Sequence, residues 1–189
     1  NALVAVKDAD STIVWSWHLW FTDMPEEQMY VTSNGVFNVH DRNLGATRAD
    51  QGTGEEYKDS YGLIYQWGRK DPFVDSCFDY LRWDTQSPYS VKDLIEQPTM
   101  VSSPDRSLSS TANWTSDKII DFWSDQCKSI YDPCPVGYRV ASSEVWSDFI
   151  DLSCIENSYD YGLMVKFNQS ESAWYPYSPY IYRNGSYRD

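Results

Sequence analysis

Histidine is scarce in this chain. His18 and His40 are the only two among 189 residues, and neither lies beside a serine or cysteine in a nucleophile motif of the G-x-S-x-G kind. That scarcity argues against the acyl-transfer chemistries that need an imidazole next to an activated nucleophile. Basic side chains are also few. Fifteen Lys and Arg face 28 Asp and Glu, giving a formal net charge of −13. A field of that sign repels phosphate backbones and anionic bilayers, so nucleic acid is excluded as a partner, and membrane contact is expected only through an upstream anchor. No apolar run approaches the roughly 20 residues of a membrane span. There is no secretory leader, yet the chain opens at Asn1 without an initiator Met and enters an apolar alternation at once. We read it as a mature fragment or excised domain of a longer protein. The four cysteines, Cys77, Cys127, Cys134 and Cys154, lack the close pairing that zinc requires. Internal repeats are absent.

Aromatic residues are plentiful. Nine Trp and fifteen Tyr help bring the aromatic share to 16%, and such rings serve both as core and as wet binding faces. The length suits one domain, residues 1–189, with a loop-rich insertion over about 73–116, where Ser, Asp, Pro and Thr dominate.

Strands are expected over Ala2–Val6 and Thr12–Thr22, joined by the turn Asp8-Ala9-Asp10-Ser11. In the second, Trp15, Trp17, Leu19 and Phe21 share one face and Val14, Ser16, His18 and Trp20 the other, so it is expected to be covered on both sides. Met29–Thr32 and Val36–His40 form another pair around Ser33-Asn34-Gly35. Leu44–Lys58 reads as loop, and Tyr61–Gly68 as a short aromatic element. Val91–Gln97 reads as one or two helical turns. Ser116 or Asp117 is expected to cap a short helix carrying Ile119, Ile120, Phe122 and Trp123. The clearest helix is Ser143–Leu152, with Ser142 as N-cap, Glu144 in the first turn, and Trp146 and Phe149 packed on a sheet. Leu163–Phe167 alternates as a strand. Asn184-Gly185 between Tyr180–Tyr182 and Ser186-Tyr187 predicts a hairpin, whose return arm is cut short at Asp189. We expect the missing strands to lie further along the natural protein or to come from a neighbour.

Three blocks carry a resemblance. The first is the opening, with Ile13-Val14-Trp15-Ser16-Trp17-His18-Leu19-Trp20. The second is Asp41-Arg42-Asn43-Leu44-Gly45-Ala46 with Tyr61-Gly62-Leu63-Ile64-Tyr65-Gln66-Trp67-Gly68-Arg69-Lys70-Asp71-Pro72-Phe73. The third is Ser129-Ile130-Tyr131-Asp132-Pro133-Cys134-Pro135-Val136-Gly137-Tyr138-Arg139-Val140 with Ser142-Ser143-Glu144-Val145-Trp146. Together they resemble the Fibrobacter succinogenes major paralogous domain, found at the C-terminus of fimbrillin-family surface proteins of Bacteroidetes. The resemblance implies a secreted, cell-surface, non-enzymatic adhesion or recognition module. The implied fold is α+β and C-type-lectin-like, with antiparallel sheets, one main helix and long loops. Its ligand would be glycan or a surface protein. The first alternative is a structural pilus or surface-assembly subunit docking on a neighbouring pilin. The second is an enzyme on a lectin-like scaffold. The calcium motifs of true C-type lectins, Glu-Pro-Asn or Gln-Pro-Asp with Trp-Asn-Asp, are absent.

In that setting an even cysteine count implies two disulfides. We expect Cys77 with Cys127, closing the insertion, and Cys134 with Cys154, bracketing the main helix; Cys127 with Cys134 is the competing pairing. Asp41, Arg42, Asn43, Arg69 and Asp71 are expected to pin loops, the Arg fork pairing with a carboxylate. No cofactor is expected. Calcium is the one metal the spacing of Asp71, Asp75 and Asp79 allows, against a plain reading of that run as a solvated acidic loop. The best ligand candidates are the rings of the aromatic tail, Trp174, Tyr175, Tyr177, Tyr180 and Tyr182, which could stack on sugar; ordinary strand packing is the alternative. Pro176 and Pro179 deny ladder bonds there, so an edge strand or irregular ribbon is expected.

Overall fold

The computed structural model describes residues 1–73, 89–100, 115–117, 121–150, 155–167, 171–178, 180–181 and 187–188, with the side chains of 149–150, 155–159, 180–181 and 187–188 outside that description. In chain order the elements are β1 (Ala2–Lys7), β2 (Ile13–Leu19), β3 (Glu27–Thr32), β4 (Gly35–His40), α1 (Val91–Glu96), β5 (Ile155–Tyr159), β6 (Gly162–Lys166), β7 (Ser172–Pro176), β8 (Tyr180–Ile181) and β9 (Tyr187–Arg188). Two 3-10 segments, Glu56–Ser60 and Ser143–Ile150, complete the set. The architecture is therefore mainly β: small antiparallel sheets in the orders β1-β2, β3-β4, β5-β6-β7 and β8-β9, with little helix. These fall into two compact units. One comprises Asn1–Trp20, Ile64–Val140 and Pro179–Arg188; the other comprises Phe21–Leu63 and Ala141–Ser178.

In the first unit the β1–β2 hairpin pairs Ala2 with Leu19, Val4 with Trp17 and Val6 with Trp15. Its turn is set by Asp8, whose carboxylate accepts the N–H groups of Asp10 (3.0 Å) and Thr12 (2.9 Å). The expectation that β2 is covered on both sides is corrected: Ser16 is its one buried residue, and Trp17 is 50% exposed. The reason is that, among the described residues, β1 is the only strand paired with β2, and a two-stranded ribbon has too little partner surface to hide two faces. The apolar centre of this unit is Phe122, 1% exposed, met edge-on by Trp67 (5.2 Å) and Tyr131 (5.2 Å). Helix α1 begins with a capping box between Ser90 and Asp93. Asp117 does not start a helix of its own as far as the described residues extend. Its carboxylate instead accepts the Val91 N–H at 2.6 Å and so satisfies a further orphan donor of α1. Residues 118–120 lie outside the description.

Asp132 organises the Pro133–Val140 stretch. Its buried carboxylate accepts the N–H groups of Cys134 (2.8 Å) and Val140 (2.9 Å) and the Lys128 ammonium (2.9 Å). Burial works against its ionised form, but the Lys128 and backbone donors outweigh it and hold its pKa below the ordinary carboxylate value. Asp132→Asn should therefore destabilise the protein by about 2 kcal/mol at neutral pH, as three donors lose a charged acceptor. A lowered native pKa gives stability that is present above the unfolded value and lost as pH falls through the native one. The gap between wild type and variant should close in acid, which urea denaturation across pH would record.

In the second unit β3 and β4 pair through the two-residue turn Ser33-Asn34, in the register Thr32 with Gly35 to Glu27 with His40. Alternation sends Tyr30 inward, where it is 2% exposed, and leaves Met29 and Val31 51% exposed. Tyr30 lies in a cluster with Val145, Phe167 and Ala173, flanked by Phe37, Val39 and Tyr175. The segment expected as the main helix, Ser143–Leu152, is a 3-10 segment over Ser143–Ile150. Its polar side chains serve as a dock for the β3–β4 turn. Asp148 accepts from the Ser33 N–H (2.6 Å) and hydroxyl (2.7 Å), and the Asn34 amide donates to Ser147 Oγ at 2.7 Å. Trp146 lies edge-on to Tyr30 and Tyr175 but keeps 39% of its surface exposed. The Phe149 side chain lies outside the description. In the three-stranded sheet β7 is an edge strand ending at Pro176, opposite Gly162, where a missing N–H is tolerated.

Candidate functional site

The second unit gathers four tyrosines. Tyr57 stands on the 3-10 segment Glu56–Ser60, and Tyr161 on the turn between β5 and β6. Their rings stack in parallel, with centroids 3.7 Å apart and planes 5° apart. Tyr61 meets Tyr57 edge-on at 5.6 Å, and the Lys58 ammonium lies over the Tyr57 ring, 5.9 Å from its centre. The Tyr177 N–H donates to the Tyr161 carbonyl at 2.8 Å, so these two residues are held side by side. Tyr161 and Tyr177 are 42% and 49% exposed.

The backing is locked by hydrogen bonds. Ser60 Oγ donates to the Tyr57 carbonyl (2.6 Å) and accepts from Trp174 Nε1 (2.8 Å). The Asn43 amide donates to the Tyr61 carbonyl (3.1 Å) and lies 3.3 Å from Ser178 Oγ, which itself donates to the Tyr61 carbonyl at 3.1 Å. Two glycines are required. At Gly62, φ is +75° and a Cβ would lie 2.6 Å from the Leu44 carbonyl oxygen; at Gly162 it would lie 2.5 Å from the Trp174 ring. The arrangement can accept the C–H face of a flat ligand on rings that are already rigid, with hydroxyl and amide groups close by.

The aromatic tail divides. Trp174 is 6% exposed and points into the interior toward Ser60 rather than to solvent. Tyr175 is half-buried, its hydroxyl against that of Tyr30, and burial raises its pKa. Tyr177 reaches solvent. The side chain of Tyr180 and all of Tyr182 lie outside the description. Sequence reasoning missed Tyr57, Tyr61 and Tyr161; the one signal was the Tyr density around Gly62 and Gly162.

The polar blocks act within each unit. Arg42 forks onto Asp41 (2.9 Å) and Asp23 (2.6 Å), which raises its pKa. The Arg69 guanidinium donates to the carbonyls of Pro98 and Met100 and lies over the Phe73 ring; burial lowers its pKa to about 10. In the first unit Lys70 Nζ donates to Asp71 Oδ2 (2.7 Å), to Ser16 Oγ (2.6 Å) and to the Ser16 carbonyl (2.7 Å), while Ser16 Oγ donates to Asp71 Oδ2 at 2.7 Å. Serine, lysine and carboxylate are thus within reach of one another, but Ser16 is 1% exposed and its hydroxyl proton is already committed.

Cys127 and Cys134 are free thiols, against the expected pairings Cys77 with Cys127 and Cys134 with Cys154, and against Cys127 with Cys134. Cys77 and Cys154 lie outside the description. Burial, followed by the neighbouring Asp132 carboxylate, pushes the Cys134 thiol up to about 12, which favours the protonated thiol at neutral pH. Among the described residues no group of three or more His, Cys, Asp or Glu could hold a metal ion; Asp71 is engaged by Lys70, and Asp75 and Asp79 lie outside the description. Comparison of the chain with family models, with curated proteins and with solved structures gave no match in any of the three.

Proposed function

We propose that this chain is a non-enzymatic, extracellular recognition module of the fimbrillin type, with a C-type-lectin-like fold, and that it binds carbohydrate through the tyrosine face of its second unit. The observation that carries the reading is the exposure of Tyr161 and Tyr177, at 42% and 49%, on a backing that hydrogen bonds hold rigid. Exposed aromatic rings expose apolar area to water unless something covers them. A sugar ring covers them while keeping its own hydroxyls wet. The likeness of the three sequence blocks to a surface-protein domain points the same way.

Tyr161→Ala should weaken glycan binding by about ten-fold, and the double variant with Tyr177→Ala by more, while lost stacking on Tyr57 lowers stability by only about 1 kcal/mol and leaves the domain folded. A glycan array followed by calorimetry on the best hit measures this. Unchanged affinity in both variants would remove the tyrosine face as the site.

One observation favours the assembly alternative. Strand β1 is exposed along its whole length, and Val4, Val6, Trp17 and Leu19 are each at least 40% exposed. A bare, apolar edge strand is a template for strand addition. Concentration-dependent sedimentation that disappears in Val4→Lys would support that reading.

A further inference from the structure

Among the described residues, Tyr57 and Tyr161 are set apart from the other tyrosines by how their rings meet. The planes are 5° from parallel and the centroids 3.7 Å apart, so carbons of one ring face carbons of the other at van der Waals contact. Tyr61 meets Tyr57 edge-on, at 5.6 Å. Tyr30 stacks on Phe167, which has no phenol, and meets Tyr175 through the hydroxyls. The stacked pair is also anchored at both backbones. The Tyr57 carbonyl accepts from Ser60 Oγ at 2.6 Å, and the Tyr161 carbonyl accepts from the Tyr177 N–H at 2.8 Å. Tyr161 is 42% exposed, whereas Tyr30 is 2% exposed. A diffusing oxidant therefore reaches the stacked pair and is kept from the buried one.

We propose that Tyr57 and Tyr161 form a site of oxidative cross-linking, where dityrosine staples the Glu56–Ser60 segment to the turn between β5 and β6. The staple forms whatever the outer face of Tyr161 binds. The co-reactant is a one-electron oxidant, such as a haem peroxidase supplied with hydrogen peroxide. Each phenol gives one electron to the peroxidase and its hydroxyl proton to water. The resulting radical carries its spin on the oxygen and on the ring carbons beside it, Cε1 and Cε2, while Cγ is blocked by the side chain. A Cε–Cε bond then forms between the stacked rings. Each joined carbon releases its hydrogen as a proton and each oxygen takes one back, so both rings regain aromaticity. One hydrogen peroxide is reduced to two waters as two tyrosines become one dityrosine. Rings already held at contact couple within the molecule, at an effective concentration far above that of the protein in solution.

The test treats the dilute full chain with a haem peroxidase and limiting hydrogen peroxide. The monomer is expected to lose the mass of two hydrogen atoms, to gain dityrosine fluorescence, and to yield a linked Tyr57–Tyr161 peptide pair on digestion. Its thermal midpoint should rise by roughly 5–10 °C, because the bond joins positions far apart in the unfolded chain. Tyr57→Phe and Tyr161→Phe keep the stack and remove one phenol, so each should lower the yield of altered monomer about ten-fold. Unfolding in urea before oxidation should erase the preference for this pair. Cross-links at other tyrosines of the folded chain, or an undiminished yield in Tyr57→Phe, would overturn the assignment. Covalent dimers in place of altered monomer would overturn it too, as would a treated chain that keeps its original mass. An unshifted midpoint in the cross-linked monomer would overturn the stapling role.

Discussion

Tyr30→Ala is expected to destabilise the second unit by about 3–5 kcal/mol, a large part of the stability of an ordinary domain. Tyr30 is 2% exposed, stacks on Phe167 at 4.6 Å and is met edge-on by Trp146 at 6.1 Å. Removing the ring opens a cavity at the point where β3 and the 3-10 segment Ser143–Ile150 pack together, and neither element can collapse into it without breaking the Ser33–Asp148 dock. Tyr30→Phe separates the ring from its hydroxyl. It keeps the packing and loses the contact with the Tyr175 hydroxyl, for about 1 kcal/mol. Burial raises the pKa of the Tyr30 hydroxyl from 10 to about 12, so the cost should be constant up to about pH 10, where the unfolded tyrosine begins to ionise, and should shrink above it. Equal destabilisation by Phe and Ala in urea denaturation would mean that the hydroxyl pair, and not the stack, holds this core together.

Asp71→Ala should be as costly in the first unit, at about 3–5 kcal/mol, because it strands the Lys70 ammonium. The side chains of Lys70 and Asp71 are 9% and 4% exposed, and without its carboxylate the ammonium retains, among the described residues, only Ser16 and the face of Trp15, 4.5 Å away. The pair itself contributes far less than its breakage costs. Asp71 Oδ1 is buried with no hydrogen-bond partner among the described residues, so part of the desolvation is left unreturned. Replacing both partners, Lys70→Met with Asp71→Leu, should therefore recover most of the loss. A double variant no more stable than Asp71→Ala alone would contradict this account.

The hairpin over Met29–His40 was legible because its information is local. A turn dipeptide before Gly35 and a period of two fix both the pairing and the face that turns inward. Local signals also account for α1, where Ser90 and Asp93 form a capping box three residues apart, and for the pairing, though not the register, of β8 and β9: Ile181 stands opposite Tyr187, one residue off the register that a two-residue Asn184-Gly185 turn sets. Ser143–Ile150 looked helical for an equally local reason: a good cap and an apolar stripe do not separate α from 3-10. There the Val145 N–H bonds the Ser142 carbonyl, and the demands of Ser33 and Asn34 on Asp148 and Ser147 come from far along the chain.

By itself, then, the sequence determined the mainly antiparallel character, the local turns and caps, the acidic field and the wealth of aromatic rings. Only the tertiary structure decided which rings are core and which are surface. Trp174 and Tyr177 belong to one aromatic run, yet the first donates to Ser60 in the interior while the second stands half in solvent. Tyr57 and Tyr161 meet face to face although nothing in either neighbourhood names the other. Alternation along a strand tells which side a ring takes, but not what covers that side. Covering is a property of distant segments brought together by burial, and burial is non-directional.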